Sequence, residues 1–323
     1  MLYDILSVSN VIGGYNMDKN NNRFVYIAAI SYALITGLSF LFTKIALSVS
    51  NPLDILAFRF TAAFMAVVLL LLFRVISLNY DMEKIKRILP LALLYPLMFF
   101  TFQTFGLQYA SSSEAGILLA SAPVFTLILA RIFLGEKPSI LQTLSVIVSV
   151  IGVIYITLTK GASFDFSNIK GIIFLILSAL SFSGYSVMAR ILTKDFNSME
   201  LSFMMSIISF ICFNTLAIGN HLIAGTLNTF LTPLKNIKFI IAIIYLGVLS
   251  SLITSLLTNY ILSKIEASKM SVFSNLGTVI SIIAGVVFLN EKIYYYHIIG
   301  SILIIGGVIG TNFLDKIKDR AKV

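Results

Sequence analysis

Arg59 is the first residue that chemistry must account for, because it stands inside the apolar run 53–75, LDILAFRFTAAFMAVVLLLLFRV. An Arg at membrane depth costs about 2.5–3.5 kcal/mol on insertion scales, so it must pair, face water or hold something. It lies no more than two turns into its run, near one face of the bilayer, with Asp54 five positions earlier. Two readings follow: a snorkelling or structural Arg, and a cation that attracts an anionic group. The carboxylates are placed differently. Glu114 and Glu266 stand at the starts of apolar runs, where they complement the positive end of a helix dipole. Glu136 and Glu291 occupy short loops, where they pair with a neighbouring Lys or cap the next helix. His221 and His297 fall at run ends and read as interface residues, and Cys212, the single cysteine, reads as a small packing residue. An enzyme acting within the membrane on lipid needs a cluster of His, Asp, Glu or Cys at depth. The sequence has none, nor a GxxxxGK[ST] loop for a nucleotide. It therefore implies no metal, no cofactor and no catalysis.

The elements that position these residues are membrane helices. With 58% hydrophobic and 11% charged residues and a mean hydropathy of +0.98, the chain has too little polar surface for a water-soluble globule. Runs of about 20 apolar residues fall at roughly 24–46, 53–75, 89–108, 113–134, 139–158, 169–192, 198–222, 236–258, 266–289 and 293–314. The expected fold is thus an all-α integral membrane protein with ten transmembrane helices. The net charge of +9 is scattered between spans and implies no nucleic acid. It serves topology instead: Lys19, Arg23, Arg74, Lys84, Lys86, Arg87, Arg131, Lys137, Arg190, Lys194, Lys264, Lys269 and the basic tail 315–323 fall on one side. Only Lys44, Lys160, Lys170, Lys235, Lys238 and Lys292 fall on the other. The positive-inside rule then puts both termini, including the segment 1–23, in the cytoplasm of a plasma-membrane protein. Met17, followed by DKNNNRF, reads as the start of translation; a peptide from upstream of it in purified protein excludes that reading.

The chain also repeats. Leu134, Glu136 and Lys137 return 155 positions later as Leu289, Glu291 and Lys292, and Gly152 returns as Gly307. Lys44 meets Arg190, and Asp54 meets Glu200, at a spacing of 146. Two units, 24–158 and 169–314, thus carry about five spans each. An odd number of spans makes the second unit enter the membrane from the opposite side, so the halves are inverted repeats.

The pattern GLSFLFTKIALSVSNPLDILAFRF, the stretch ASAPVFTLILARIFLGEKPSILQTLSVIVSVIGV and their echoes resemble the EamA family of the drug/metabolite transporter superfamily. The resemblance implies two inverted five-helix units around a central cavity, and export or exchange of a small metabolite, such as an amino acid or related compound, by alternating access. It also implies that spans 1, 3, 4, 6, 8 and 9 face that cavity. On them lie Thr36, Ser39, Tyr95, Gln103, Ser121, Ser183, Tyr185, Thr254, Asn259, Ser274 and Asn275, whose polar groups need partners away from lipid. With Arg59 they form the candidate substrate-binding set. A Ser or Thr on a helix also satisfies itself on its own backbone, and that reading stands beside the first. Glu114 is a weak candidate for coupling transport to an ion. Besides the solute and the lipid bilayer, a second copy of the chain is a possible partner, because Gly306 and Gly310 make a small-xxx-small face that either docks span 10 on span 5 or forms a homodimer. The alternatives are a channel-like or scaffold membrane protein, and an intramembrane lipid enzyme. Tyr294, Tyr295 and Tyr296 read as an interfacial anchor. Thr278 stands where the first repeat has Pro123, so the proline bend of span 4 is expected to be lost or made differently in span 9.

Overall fold

The computed structural model describes residues 19–73, 82–136, 138–159, 166–290 and 292–320, and every regular element among them is helical. In chain order these are α1 (Lys19–Leu47), α2 (Pro52–Leu72), α3 (Met82–Tyr109), α4 (Ser112–Leu119), α5 (Ala122–Phe133) and α6 (Ile140–Thr159). After them come α7 (Phe166–Leu192), α8 (Ser198–Ala224), α9 (Ile237–Lys264), α10 (Ala267–Leu289) and α11 (Tyr295–Arg320). Seven of them, α1, α2, α3, α7, α8, α9 and α10, are long and apolar enough to cross a membrane. Large apolar side chains such as Leu69, Ile147, Ile211 and Ile302 are exposed around the outside, as lipid-facing residues must be. The protein is a multi-pass membrane protein.

The helix starts are written locally. Asn51 accepts the Asp54 N–H at 3.0 Å at the start of α2, and Asn197 accepts that of Glu200 at 2.8 Å at the start of α8. Those two caps are 146 residues apart and equivalent. Ser111 and Glu114 form a reciprocal capping box before α4, and Ser139 and Gln142 form one before α6. The run 113–134, expected as one span, is two helices. Pro123 has no N–H to give the Leu119 carbonyl, so the chain turns at Ala120–Ser121, with Ser121 N–H bonded to Leu118 O at 3.1 Å. The equivalent α10, with Thr278 in place of the proline, runs unbroken.

The most extensive helix contacts all join the two repeats: α6 with α11, α1 with α10, α3 with α7 and α2 with α8. Lipid tails supply no hydrophobic drive between helices, so close approach of backbones matters. A Cβ on Gly37 of α1 meets Gly277 O of α10 at 2.6 Å, and one on Gly307 of α11 meets Ser145 O of α6 at 2.4 Å. This corrects the expected small-residue face. Gly306 is exposed with nothing within 4 Å, and it is Gly307 that docks α11 on α6, because one residue step turns a helix by about 100°.

Candidate functional site

Between the repeats lies a cavity of about 20 Å³, room for a water molecule or so, walled by Tyr32 and Thr36 of α1, Phe99 of α3, Phe182 of α7 and Ser274 of α10. The halves are bonded at its wall and at a second point along α10. At the wall, Thr278 of α10 donates its hydroxyl to Gly116 O of α4 at 2.8 Å. α4 and α10 are therefore in direct contact at the cavity.

At the start of α10, Glu136 of the first repeat caps that helix of the second. Its Oε1 accepts the Ala267 N–H at 3.2 Å and its Oε2 accepts the Ser268 hydroxyl at 2.6 Å. The residue at the N-cap position of α10, Glu266, makes no side-chain cap of its own and instead pairs with Lys269 at 2.9 Å. An anion at this N-terminus satisfies free backbone donors and complements the helix dipole, together about 1–2 kcal/mol. The preceding residue makes this reach feasible: Gly135 takes φ +65°, and the Glu136 N–H turns back to Ala130 O at 3.3 Å. The equivalent residue of the second repeat, Asn290, also has positive φ, +54°. Lys137 and Glu291 lie outside the described residues.

Arg59 corrects the snorkelling reading. It is fully buried, and Asp54 is not its partner. Its Nε–H donates to Ser251 Oγ at 2.7 Å, and its Nη2 donates to Ser250 O at 3.1 Å and Ser250 Oγ at 2.9 Å. The guanidinium carbon lies 3.7 Å from the centroid of the Phe100 ring. Nη1 is buried without a partner, and no carboxylate pairs with Arg59 among the described residues. The serines that hold it lie in a π-helical stretch of α9, Tyr245–Ile253, and α3 has a π-helical stretch of its own at Leu93–Met98, broken at Tyr95 by φ −143°, ψ 124°.

The other expected site residues divide. Thr36 and Ser274 line the cavity. Tyr95 stacks on Tyr185 at 4.5 Å, and Tyr185 continues through its hydroxyl to Asn259 Oδ1 (2.8 Å), whose amide donates to Ser202 Oγ at 2.8 Å. These form a connected buried network behind the cavity. Gln103 is buried with its amide oxygen unpartnered. Ser39, Ser121 and Thr254 bond backbone carbonyls of their own neighbourhood, those of Thr36, Leu118 and Ser250. Ser183 donates to Ala179 O in its own helix and to Ala122 O of α5. Asn275 is not among the residues lining the cavity: its amide donates to Ser149 Oγ of α6 at 3.0 Å. Glu114 is engaged in the capping box with Ser111.

The sequence profile of the EamA-like transporter family matches residues 23–158 and again residues 169–313, so two copies of the family's unit account for nearly the whole chain. The chain belongs to the EamA-like transporter family. It is 48% identical over 296 residues to an uncharacterized transporter of Bacillus subtilis, YcxC, covering 92% of this chain and 95% of that one. An uncharacterized transporter of Archaeoglobus fulgidus is 26% identical over 84% of this chain and 92% of its own. A solved crystal structure superposes with a TM-score of 0.67 over 91% of this chain and 98% of that one at 16% identity, which shows a shared fold.

This EamA protein has a second feature that the sequence reading missed. Between α2, the end of α8 and residues 229–237 lies an open vestibule of about 770 Å³, and a buried pair forms part of its lining. His221 Nε2 is 3.0 Å from Asp54 Oδ1, and its Nδ1 is 2.8 Å from Thr226 Oγ1. Ser50 and Asn51 also donate to Asp54. The ring thus reaches the carboxylate through Nε2 and Thr226 through Nδ1, which also lies 3.1 Å from the Thr226 carbonyl oxygen. His221 is thus buried and tied to Asp54. The partners are 167 residues apart, which no local pattern announces.

Proposed function

We propose that this EamA protein is a secondary transporter of the plasma membrane, with both termini cytoplasmic, that exports or exchanges a small metabolite such as an amino acid or related compound by alternating access. The observation that carries the reading is the pair of cross-repeat bonds along α10, Glu136 on Ser268 near its start and Thr278 on Gly116 at the wall of the cavity. In an alternating-access cycle, bonds of this kind between two halves break and form as a site between them is exposed to one side or the other.

The inverted ten-span plan is supported by equivalences between the repeats. Lys44 at the end of α1 donates to Leu107 O at the end of α3, and Arg190 at the end of α7 donates to Leu262 O near the end of α9. Packing is mirrored in the same way, since α1 against α10 answers α7 against α5. In this plan α4 with α5 counts as one interrupted span, and α6 and α11 as the fifth and tenth.

The test is a metabolite screen. Cells overproducing the protein are compared with cells producing Thr36→Trp, which fills the cavity, at equal membrane abundance. A solute enriched outside the first and not the second supports the reading; identical solute profiles in the two exclude export of any metabolite screened.

A further inference from the structure

We infer that Arg59 is the substrate-recognition cation of this protein, and that the solute it holds is a small carboxylate with an apolar or aromatic body. The inference rests on the transporter reading and adds the solute's chemistry to it. Three independent observations meet at this residue.

The first is an unspent charge. Arg59 is wholly buried, uses Nε and Nη2 on two serines, and leaves Nη1 with no partner, while no acid pairs with it among the described residues. Serine hydroxyls and a carbonyl solvate a guanidinium without neutralising it. The free N–H groups of Nη1 and the unneutralised charge suit a charge-assisted bond to a carboxylate oxygen.

The second is backbone. The π-helical stretches Leu93–Met98 and Tyr245–Ile253 occupy corresponding places in the two repeats, since residues 93–98 advanced by 155 become 248–253. Interrupted spans at matching positions are where transporters built from repeats bind solute. Arg59 bonds Ser250 and Ser251 in one and lies on Phe100, two residues past the end of the other. A Cβ on Gly247 meets Arg59 O at 2.5 Å, so α9 approaches α2 closely at this level.

The third is the route. Phe100 is 5.1 Å from Tyr95, and Tyr95 is 6.2 Å from Phe182, which walls the cavity. By this path the rings of Phe100, Tyr95 and Phe182 stand in series between the guanidinium and the cavity, and the middle ring, Tyr95, sits on the broken turn of α3. Movement of that turn joins the cavity to Nη1, with the carboxylate on Arg59 and the solute body among Tyr95, Tyr185, Phe99 and Phe182. No Asp or Glu lines the cavity to favour a cation instead.

The experiment uses the purified full chain with benzoate, L-phenylalanine and L-leucine, each beside its uncharged-carboxyl amide, and with chloride alone. Thermal-shift titration reads binding, and counterflow in proteoliposomes reads movement. At least one acid raises the melting temperature and its amide does not. Arg59→Gln weakens that binding about 30-fold or more; should it fold poorly, the double variant Ser250→Ala, Ser251→Ala keeps the charge, frees the guanidinium and retains the preference for acid over amide. Equal binding of acids and amides, no binding of any acid by folded protein, a full effect of chloride with no increment from an acid, or an unchanged preference in Arg59→Gln overturns the inference. The transporter reading fails separately: acids that bind through Arg59 but show no counterflow refute transport and leave the site standing. Counterflow of a solute indifferent to Arg59 does the reverse.

Discussion

The Ser268 hydroxyl lies 2.6 Å from the Glu136 carboxylate, a bond between the first repeat and the first turn of a helix in the second. Because Glu136 also takes the Ala267 N–H, it is both the cap of α10 and a latch between halves. Ser268→Ala removes one of the two bonds and costs about 1 kcal/mol, and Glu136→Ala removes both. Melting temperature in detergent is expected to fall in that order, with Glu136→Gln between wild type and Glu136→Ala.

The reach of Glu136 depends on the left-handed turn before it. Gly135→Val forces a branched side chain to φ +65° and is expected to cost about 1–2 kcal/mol and to release the latch. Gly135→Asn is expected to cost much less, since Asn290 holds the same turn in the other repeat. A melting comparison of the two variants, with hydrogen exchange at the first turn of α10, checks both halves of this statement.

Gly306 and Gly307 provide a contrast of neighbours. A side chain at 307 runs into Ser145 and Ser149 of α6, while one at 306 meets nothing within 4 Å. Gly307→Leu is expected to abolish stable protein, and Gly306→Leu to leave the yield of folded monomer unchanged. Fluorescence size-exclusion profiles of the two decide it.

The Asp54–His221 pair ties the start of α2 to the end of α8 at the vestibule. His221→Ala leaves a buried carboxylate with only Ser50 and Asn51 as side-chain partners, a loss of about 1–3 kcal/mol. His221→Gln, which keeps a donor, is expected to recover part of it. Melting temperatures of the three proteins measure the tie.

What the sequence shows and what it hides divide along the helix axis and around it. Caps are axial and local, so Ser111 with Glu114 and Asn197 with Glu200 are legible at a spacing of three, as are Lys44 with Arg190 and Glu136 before an apolar run. Which way a side chain faces depends on helix rotation, set by distant packing. Ser274 lines the cavity and Asn275 faces α6, although both are small polar residues one step apart. Arg59 is conspicuous in the sequence, but its partners are 192 and 191 residues away in a π-helical stretch that no composition signals. Asp54 and His221 were each visible, and only the fold makes them a pair.

The central claim is that the cavity opens to one side at a time, and side-resolved labelling of Thr36→Cys in a Cys212→Ala background tests it most directly. A membrane-impermeant maleimide is applied separately to each face of oriented vesicles, with Glu136→Ala or Thr278→Ala added. Release of the Glu136 latch is predicted to raise labelling from the face bearing residue 136 and lower it from the other; release of the Thr278 contact is predicted to do the opposite. Labelling that rises from both faces together, or that neither variant alters, contradicts alternating access in this protein.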